Sequence, residues 1–440
     1  MSIFKAYDIR GVYPKELNED VAYKIGKAIA KFLDVKEIVV GRDMRVSADT
    51  LFDSVSEAIT DMGVDMIDIG VISSPMAAFA SGFLNKAVVM ITASHNPKEY
   101  NGFKIMRAGA KPVSADSGMK DIEALANKEI ASSKKKGIIH IKNIDKDYAK
   151  HVLKFLKDKK IKLKIVVDAG NGMGGKVVPL IFKGLKNIEI IPMYFELDGN
   201  FPNHEANPLK AENVKELQKR VVKEKADLGV ALDGDADRVF FVSDKGAIIP
   251  ADFITCLVGQ EFLKEAPGST ILYDLRSSWI VKEVIEANKG KAEMCKVGHS
   301  FIKEHLRKTN GIFGGELSGH FYFRDNYYAD SGVITMLKLL ELVASENKKI
   351  SELVKPLKKY FATGEVNSDV KDKQGKMKEL AKKYKDGKVS WLDGIRVDFD
   401  NWWFNVRPSN TEPLLRLNLE AKTKELMEEK EKEILNIIRS

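Results

Sequence analysis

Only two cysteines, Cys256 and Cys295, occur in 440 residues, too few and too far apart for a disulfide framework or a metal-ligand spacing. No apolar run is long enough to cross a bilayer. The stretch Met1 to Tyr13 lacks the apolar core of a signal peptide, so a cytoplasmic location is expected. The chain also lacks the basic patch interleaved with aromatics that RNA or DNA binding calls for. Its formal net charge is +8, but lysines alternate with glutamates over Lys210–Lys225 and Lys422–Lys432, as on solvated helix faces. Neither a nucleic-acid nor a membrane partner is expected. A modest positive field suits a small anionic substrate.

What is present is enough apolar residue, 44%, to bury several cores alongside 30% charge. Strand and helix patterns alternate, which points to α/β units. A helix is expected from about Asn18 to Leu33, a strand over Lys36–Val40 leading into Gly41-Arg42-Asp43, a helix over Ser47–Met62 and a strand over Asp65–Ile69. The opening recurs: Lys162–Val167 runs into Asp168-Ala169-Gly170, and Ser269–Tyr273 into Asp274-Leu275-Arg276. Three such openings suggest three copies of one α/β unit. Lysine-rich Ser132–Asp147 reads as a boundary. After about Thr363 the texture changes to two or three strands (Asp393–Phe399, Trp402–Val406, Leu414–Glu420) and a final helix over Thr423–Ile438, a smaller α+β module.

Four turns carry the chemistry. The apolar run Val88–Ile91 stops at Thr92-Ala93-Ser94-His95-Asn96-Pro97, and a new extended piece begins at Phe103-Lys104-Ile105. A serine at the carboxyl end of a buried strand is well placed to react, though taken alone such a serine more often caps a helix or closes a turn. The strand Leu228–Leu232 delivers Asp233-Gly234-Asp235-Ala236-Asp237-Arg238. Three carboxylates at alternate positions repel one another unless a cation intervenes, and oxygen-only ligands suit Mg²⁺ first. An EF-hand needs glycine where Arg238 stands and helices on both sides. Gly314-Gly315-Glu316-Leu317-Ser318-Gly319-His320 offers a carboxylate, a hydroxyl and an imidazole suited to a sugar diol, or forms an ordinary hairpin. Arg407-Pro408-Ser409-Asn410-Thr411-Glu412-Pro413 has the guanidinium, hydroxyls and amide to surround a phosphate. Gly170-Asn171-Gly172-Met173-Gly174-Gly175 matches the dinucleotide fingerprint, but no strand ending in an acid follows about 20 residues on, so it is read as a tight turn before a helix.

With these turns in this order the chain resembles the α-D-phosphohexomutase superfamily, most closely its phosphomannomutase/phosphoglucomutase branch. Tyr7-Asp8-Ile9-Arg10-Gly11 and Gly298-His299-Ser300 add to the likeness. The resemblance implies four domains around a central cleft, three similar mixed α/β domains and a C-terminal TATA-binding-protein-like α+β domain. The expected limits are 1–146, 147–250, 251–361 and 362–440. It implies interconversion of hexose 1-phosphate and hexose 6-phosphate (mannose, glucose or both) through a phosphoserine and a glucose or mannose 1,6-bisphosphate. Ser94 would be the phosphoserine, with Lys104, His320, Arg10 and His95 in the catalytic group. Ser94, Asp233, Asp235 and Asp237 would hold Mg²⁺, with Arg238 contacting the transferring phosphate. Tyr7, Arg276, His299, Glu316, Ser318, Arg407, Ser409, Asn410 and Thr411 would bind substrate. The stretch His320–Asp325 and Asn410, where phosphoglucosamine mutases usually carry glycine, favour the hexose mutases. Mannose against glucose, use of glucosamine phosphate, the acid/base and the oligomeric state stay open. Two rivals also stay open. One is an aspartyl-phosphate phosphatase of the haloacid-dehalogenase type built on Asp233-Gly234-Asp235, which leaves Ser94 and Arg407 without a role. The other is a non-catalytic sugar-phosphate-binding or nucleic-acid-binding protein, suggested by the sequence pI of about 9.0.

Overall fold

The computed structural model describes residues 3–409 and 414–440. Local rules are visible in the first helix, Glu19–Leu33. Asn18 caps it, its side chain accepting from the Val21 N–H, and Asp34 ends it in a left-handed conformation. Loss of such a cap costs about 1 kcal/mol. The apolar face, including Ile25 and Ile29, is buried, and Gly26 admits the helix Ala48–Asp61 through Val55 and Ala58.

The threefold recurrence is real topology. In the first domain four strands lie side by side in the order Tyr100–Arg107, Ala87–Ile91, Glu37–Arg42, Asp65–Val71. The second repeats this as Val239–Ser243, Leu228–Leu232, Leu163–Asp168, Ile188–Met193, and the third as Phe321–Phe323, Phe313–Gly315, Thr270–Asp274, Lys291–Cys295. Each time the last three are parallel and the first is antiparallel. Parallel strands covered on both faces read as unbroken apolar runs, as in Ala87–Ile91 and Leu228–Leu232, buried throughout. The serine, aspartate and Glu316–His320 turns all join the third parallel strand to the antiparallel one. The fold therefore delivers three different chemistries at one topological position.

The fourth domain is a five-stranded antiparallel sheet, Phe361–Asp369, Leu414–Ala421, Trp402–Pro408, Ile395–Asp398 and Lys388–Ser390, with helices Lys373–Lys383 and Lys424–Arg439. It has more strands than expected. Phe361–Asp369 escapes sequence reading because it is polar and mostly exposed, without the alternation that marks a half-buried strand. The lysine-rich stretch also contains a strand, Ile139–Ile141, paired with Asp65–Val71 at the edge of the first sheet.

Candidate active site

Ser94 follows its strand in a left-handed backbone conformation (φ +52°), unusual for a residue with a side chain. Its N–H donates to Thr92 Oγ1 (2.9 Å). The loop is braced from behind by Arg45, whose guanidinium donates to the carbonyls of Ser94 (2.8 Å), Asn96 (2.6 Å), Pro97 (2.8 Å) and Tyr100 (2.8 Å). The Arg45 side chain is fully buried, as is that of Asp43 3.5 Å away. Arg10, on the strand Ile9–Val12, donates to the side chains of Asn96 and Asp8.

The Ser94 hydroxyl donates to Asp233 Oδ2 (2.9 Å) and lies 3.1 Å from His95 Nδ1. This close approach needs a glycine: a Cβ at Gly234 would stand 2.4 Å from the Ser94 carbonyl. From below, the Met173 N–H donates to the Gly234 carbonyl (2.8 Å), so the glycine-rich turn at 170–175 supports the aspartate loop. Asp233 also accepts from the Arg238 N–H. Asp235 Oδ2 accepts from Ser74 Oγ (2.5 Å) and Lys104 Nζ (2.6 Å), and Asp237 Oδ2 from the same ammonium (2.7 Å). The remaining oxygens, Asp235 Oδ1 and Asp237 Oδ1, are buried without a hydrogen-bond partner. Burial and the charges of Asp237 and Asp235 push the Asp233 carboxyl well above its usual range. Burial acts the same way on Asp235, but Lys104 outweighs it and holds that group below the ordinary value. Burial opposes the Lys104 charge, yet Asp235 and Asp237 raise it, so the side chain is an ammonium and counter-ion. Three clustered carboxylate ligands with orphaned oxygens fit a hard divalent cation.

A second tie joins this loop to the glycine-rich hairpin of the third domain. Arg238 Nε donates to His320 Nε2 (3.0 Å), and the Val239 N–H to the Gly319 carbonyl. His320 Nδ1 faces Asp330 Oδ2 at 2.8 Å, which with the Arg238 donor places the imidazole proton on Nδ1. Asp330 in turn meets Lys303 (2.7 Å). His95 and His299 are both pushed well below the usual imidazole value, first by burial and then by Arg238 and Lys303 respectively. Both rings are neutral.

Beside these loops opens a cavity of about 1060 Å³. Tyr7, His95, Arg238, Arg276, His299, Glu316, Ser318, His320, Arg407 and Ser409 all line it. Ser94 and the three aspartates are buried next to lining residues and do not form its wall. Burial pushes the Tyr7 phenol up to about 12, so it remains a hydroxyl. Glu316 accepts from the Gly298 N–H (2.9 Å) and Tyr322 hydroxyl (2.5 Å), while Ser318 Oγ has no hydrogen-bond partner. Arg276 is gripped by Asp274 through Nε (3.1 Å) and Nη2 (2.8 Å), and Asp274 also accepts from the Leu317 N–H. One carboxylate therefore orients an arginine and the sugar-type loop together. Arg407 lies across the cavity on the strand Trp402–Pro408. Asn410 and Thr411 fall outside the described residues.

Sequence reading missed Arg45, Ser74, Lys296, Lys303, Asp330 and Glu365. Lys296 lines the cavity beside His299. Arg45 had a signal, since Asp43-Met44-Arg45 and Asp274-Leu275-Arg276 share the pattern D-x-R at equivalent strand ends.

Family models agree with this architecture along the chain. Those described as phosphoglucomutase/phosphomannomutase alpha/beta/alpha domains I, II and III match residues 1–133, 146–246 and 250–360, and the C-terminal domain of the same family matches 365–437. The chain belongs to the phosphoglucomutase/phosphomannomutase family. A phosphomannomutase of Escherichia coli is 40% identical over 451 residues, covering 100% of this chain and 99% of that protein. A Xanthomonas campestris protein named for phosphohexose mutases is 40% identical over 443 residues, covering 99% of each. The crystal structure of a family protein from Burkholderia thailandensis superimposes with a TM-score of 0.91 at 32% identity, covering 99% of this chain and 96% of that one. The protein is a hexose-phosphate mutase, an isomerase.

Proposed function

We propose that the cleft moves phosphate between O1 and O6 of mannose or glucose, with Ser94 as the phosphoryl carrier and a bound 1,6-bisphosphate as intermediate. The observation that carries this reading is the 2.9 Å contact between Ser94 Oγ and Asp233 Oδ2, made between residues 139 positions apart. It sets a hydroxyl against an acidic trio that needs a cation. Asp233, Asp235, Asp237 and an oxygen of the phosphorylated Ser94 would hold Mg²⁺, which when bound offsets charge on the transferring group.

In the first transfer the bond from Ser94 Oγ to phosphorus breaks as one forms to the free sugar hydroxyl. The proton of that hydroxyl leaves to His320, whose Nε2 is the candidate base once Arg238 releases it. The Lys104 ammonium can only give a proton and suits the acid that protonates the sugar oxygen in the return step. Arg238 and Arg10 contribute positive charge beside the loop. The bisphosphate then turns end for end, and its other phosphoryl group returns to Ser94. Glu316 and Ser318 suit O3 and O4, which lie midway along the sugar and are met in either orientation. Arg276, Arg407 and Ser409 suit the phosphate that is not being transferred, with Tyr7 and His299 beside them. A grip on O3 and O4 ignores C2, where mannose and glucose differ, so both sugars are expected to react.

The test is turnover of mannose 1-phosphate and glucose 1-phosphate, with catalytic bisphosphate supplied, by wild type and Ser94→Ala. The variant is expected to keep its fold and lose turnover by on the order of 10³-fold or more. An alanine variant with wild-type turnover contradicts the assignment. Release of free phosphate in place of an isomerised sugar phosphate favours phosphatase chemistry instead.

A further inference from the structure

The strand Phe361–Asp369 carries a bulge. Ala362 stands opposite Glu420 but Glu365 opposite Asn418, three steps against two. Gly364 absorbs the extra residue at φ +70°, a conformation that side chains resist. Bulges beside functional sites re-aim a side chain, and here the one re-aimed is a carboxylate. Glu365 meets Arg407 at 3.1 Å, Arg416 at 3.3 Å and Arg276 at 3.6 Å. All four line the cavity, with Ser409 among them. Arg407 and Arg416 are direct neighbours across two paired strands, an arrangement that like charges disfavour unless an anion lies between them. Burial and the nearby Arg276 both press the Arg407 guanidinium toward a lower pKa, and Glu365 opposes them.

We propose that Glu365 is a built-in stand-in for the substrate's non-transferred phosphate. It holds the three guanidiniums in place when the clamp is empty and reclaims them when phosphate departs. The proposal rests on the mutase reading above, which requires the clamp to let go of one phosphate and accept the other while the bisphosphate turns. Arginines alone would bind phosphate and keep it. A carboxylate competing for the same donors makes the clamp reversible, at some loss of grip. Glu365 acts through the arginines and is a positioning residue.

Glu365→Gln keeps size and removes charge. Calorimetric titration with inorganic phosphate is expected to give a Kd about tenfold lower in the variant. In steady-state kinetics KM and kcat are both expected to fall several-fold, since binding tightens and turning slows. Glu365→Asp withdraws the carboxylate by one methylene and should lie between wild type and Gln. It carries the test if the Gln variant does not fold. A residue that merely held the strand in place would raise KM and weaken phosphate binding when changed, and that result overturns the proposal, as does an unchanged Kd. Wild-type protein that binds no phosphate overturns the clamp itself. Wild type that binds phosphate, beside variants that bind it no more tightly, overturns only the stand-in.

Discussion

Two arginines occupy the same place in two copies of one fold and do opposite work. Asp43 and Asp274 end equivalent strands, and each accepts a hydrogen bond from the N–H of the arginine two residues on. In the first domain that arginine, Arg45, turns inward and spends its donors on four carbonyls of the serine loop. In the third, Arg276 turns to the cavity and is held by its own aspartate. The second domain has no arginine there. Asp168 accepts from the Gly170 N–H in the same turn and takes His204 as its partner (3.0 Å). The fold supplies a strand-end turn with a buried carboxylate three times. What hangs on it is set by the neighbour each copy meets: the serine loop, the cavity, or the turn beneath the aspartate loop.

The comparison breaks most clearly at Arg45. Arg45→Ala leaves Asp43 without its cation and takes the guanidinium donors from four carbonyls of the serine loop, which should cost about 3–5 kcal/mol in denaturant unfolding. Arg45→Lys keeps the charge but cannot reproduce the planar fork, so it should retain more stability while kcat drops and KM changes little. An alanine variant with wild-type stability would make the inward arginine incidental. Arg276→Lys is the matching change on the cavity side. It should raise the KM for sugar phosphates about tenfold, as loss of a bidentate contact does, and leave the unfolding midpoint close to wild type. Equal effects of the two lysine substitutions on KM and stability would erase the distinction. The smallest effect is expected at His204. Burial lowers its pKa, but Asp168 raises it further, and the net shift is upward from 6.5. Its contribution to stability is therefore complete below about pH 6.5 and is lost as pH rises through the folded-state value. Melting of wild type against His204→Gln should differ most at about pH 5.5 and converge at about pH 8.5. A gap that widens with pH would reverse the assignment.

Much of this could be read from sequence where the signal was local. Val88–Ile91 ending at Ser94, and Leu228–Leu232 ending at Asp233, are buried strands that stop at polar turns, and the break needs no knowledge of the rest of the chain. The D-x-D-x-D spacing carries its own electrostatic problem, which the structure restates as orphaned oxygens on Asp235 and Asp237. Arg45 and Glu365 were silent because their meaning lies in partners far along the chain. One needs carbonyls about 50 residues away, and the other needs a bulge and arginines drawn from three segments. The polar strand Phe361–Asp369 was silent because exposure removes the pattern that marks a strand. Asn410 and Thr411, assigned to phosphate by the pattern around Arg407, lie outside the described residues.

The most direct measurement is phosphopeptide mass spectrometry on protein incubated with glucose 1,6-bisphosphate and Mg²⁺. A single phosphate on the peptide containing Ser94, absent from Ser94→Ala, is the predicted result. Phosphate on Asp233, or none on any residue while the sugar phosphate is still isomerised, would contradict the account.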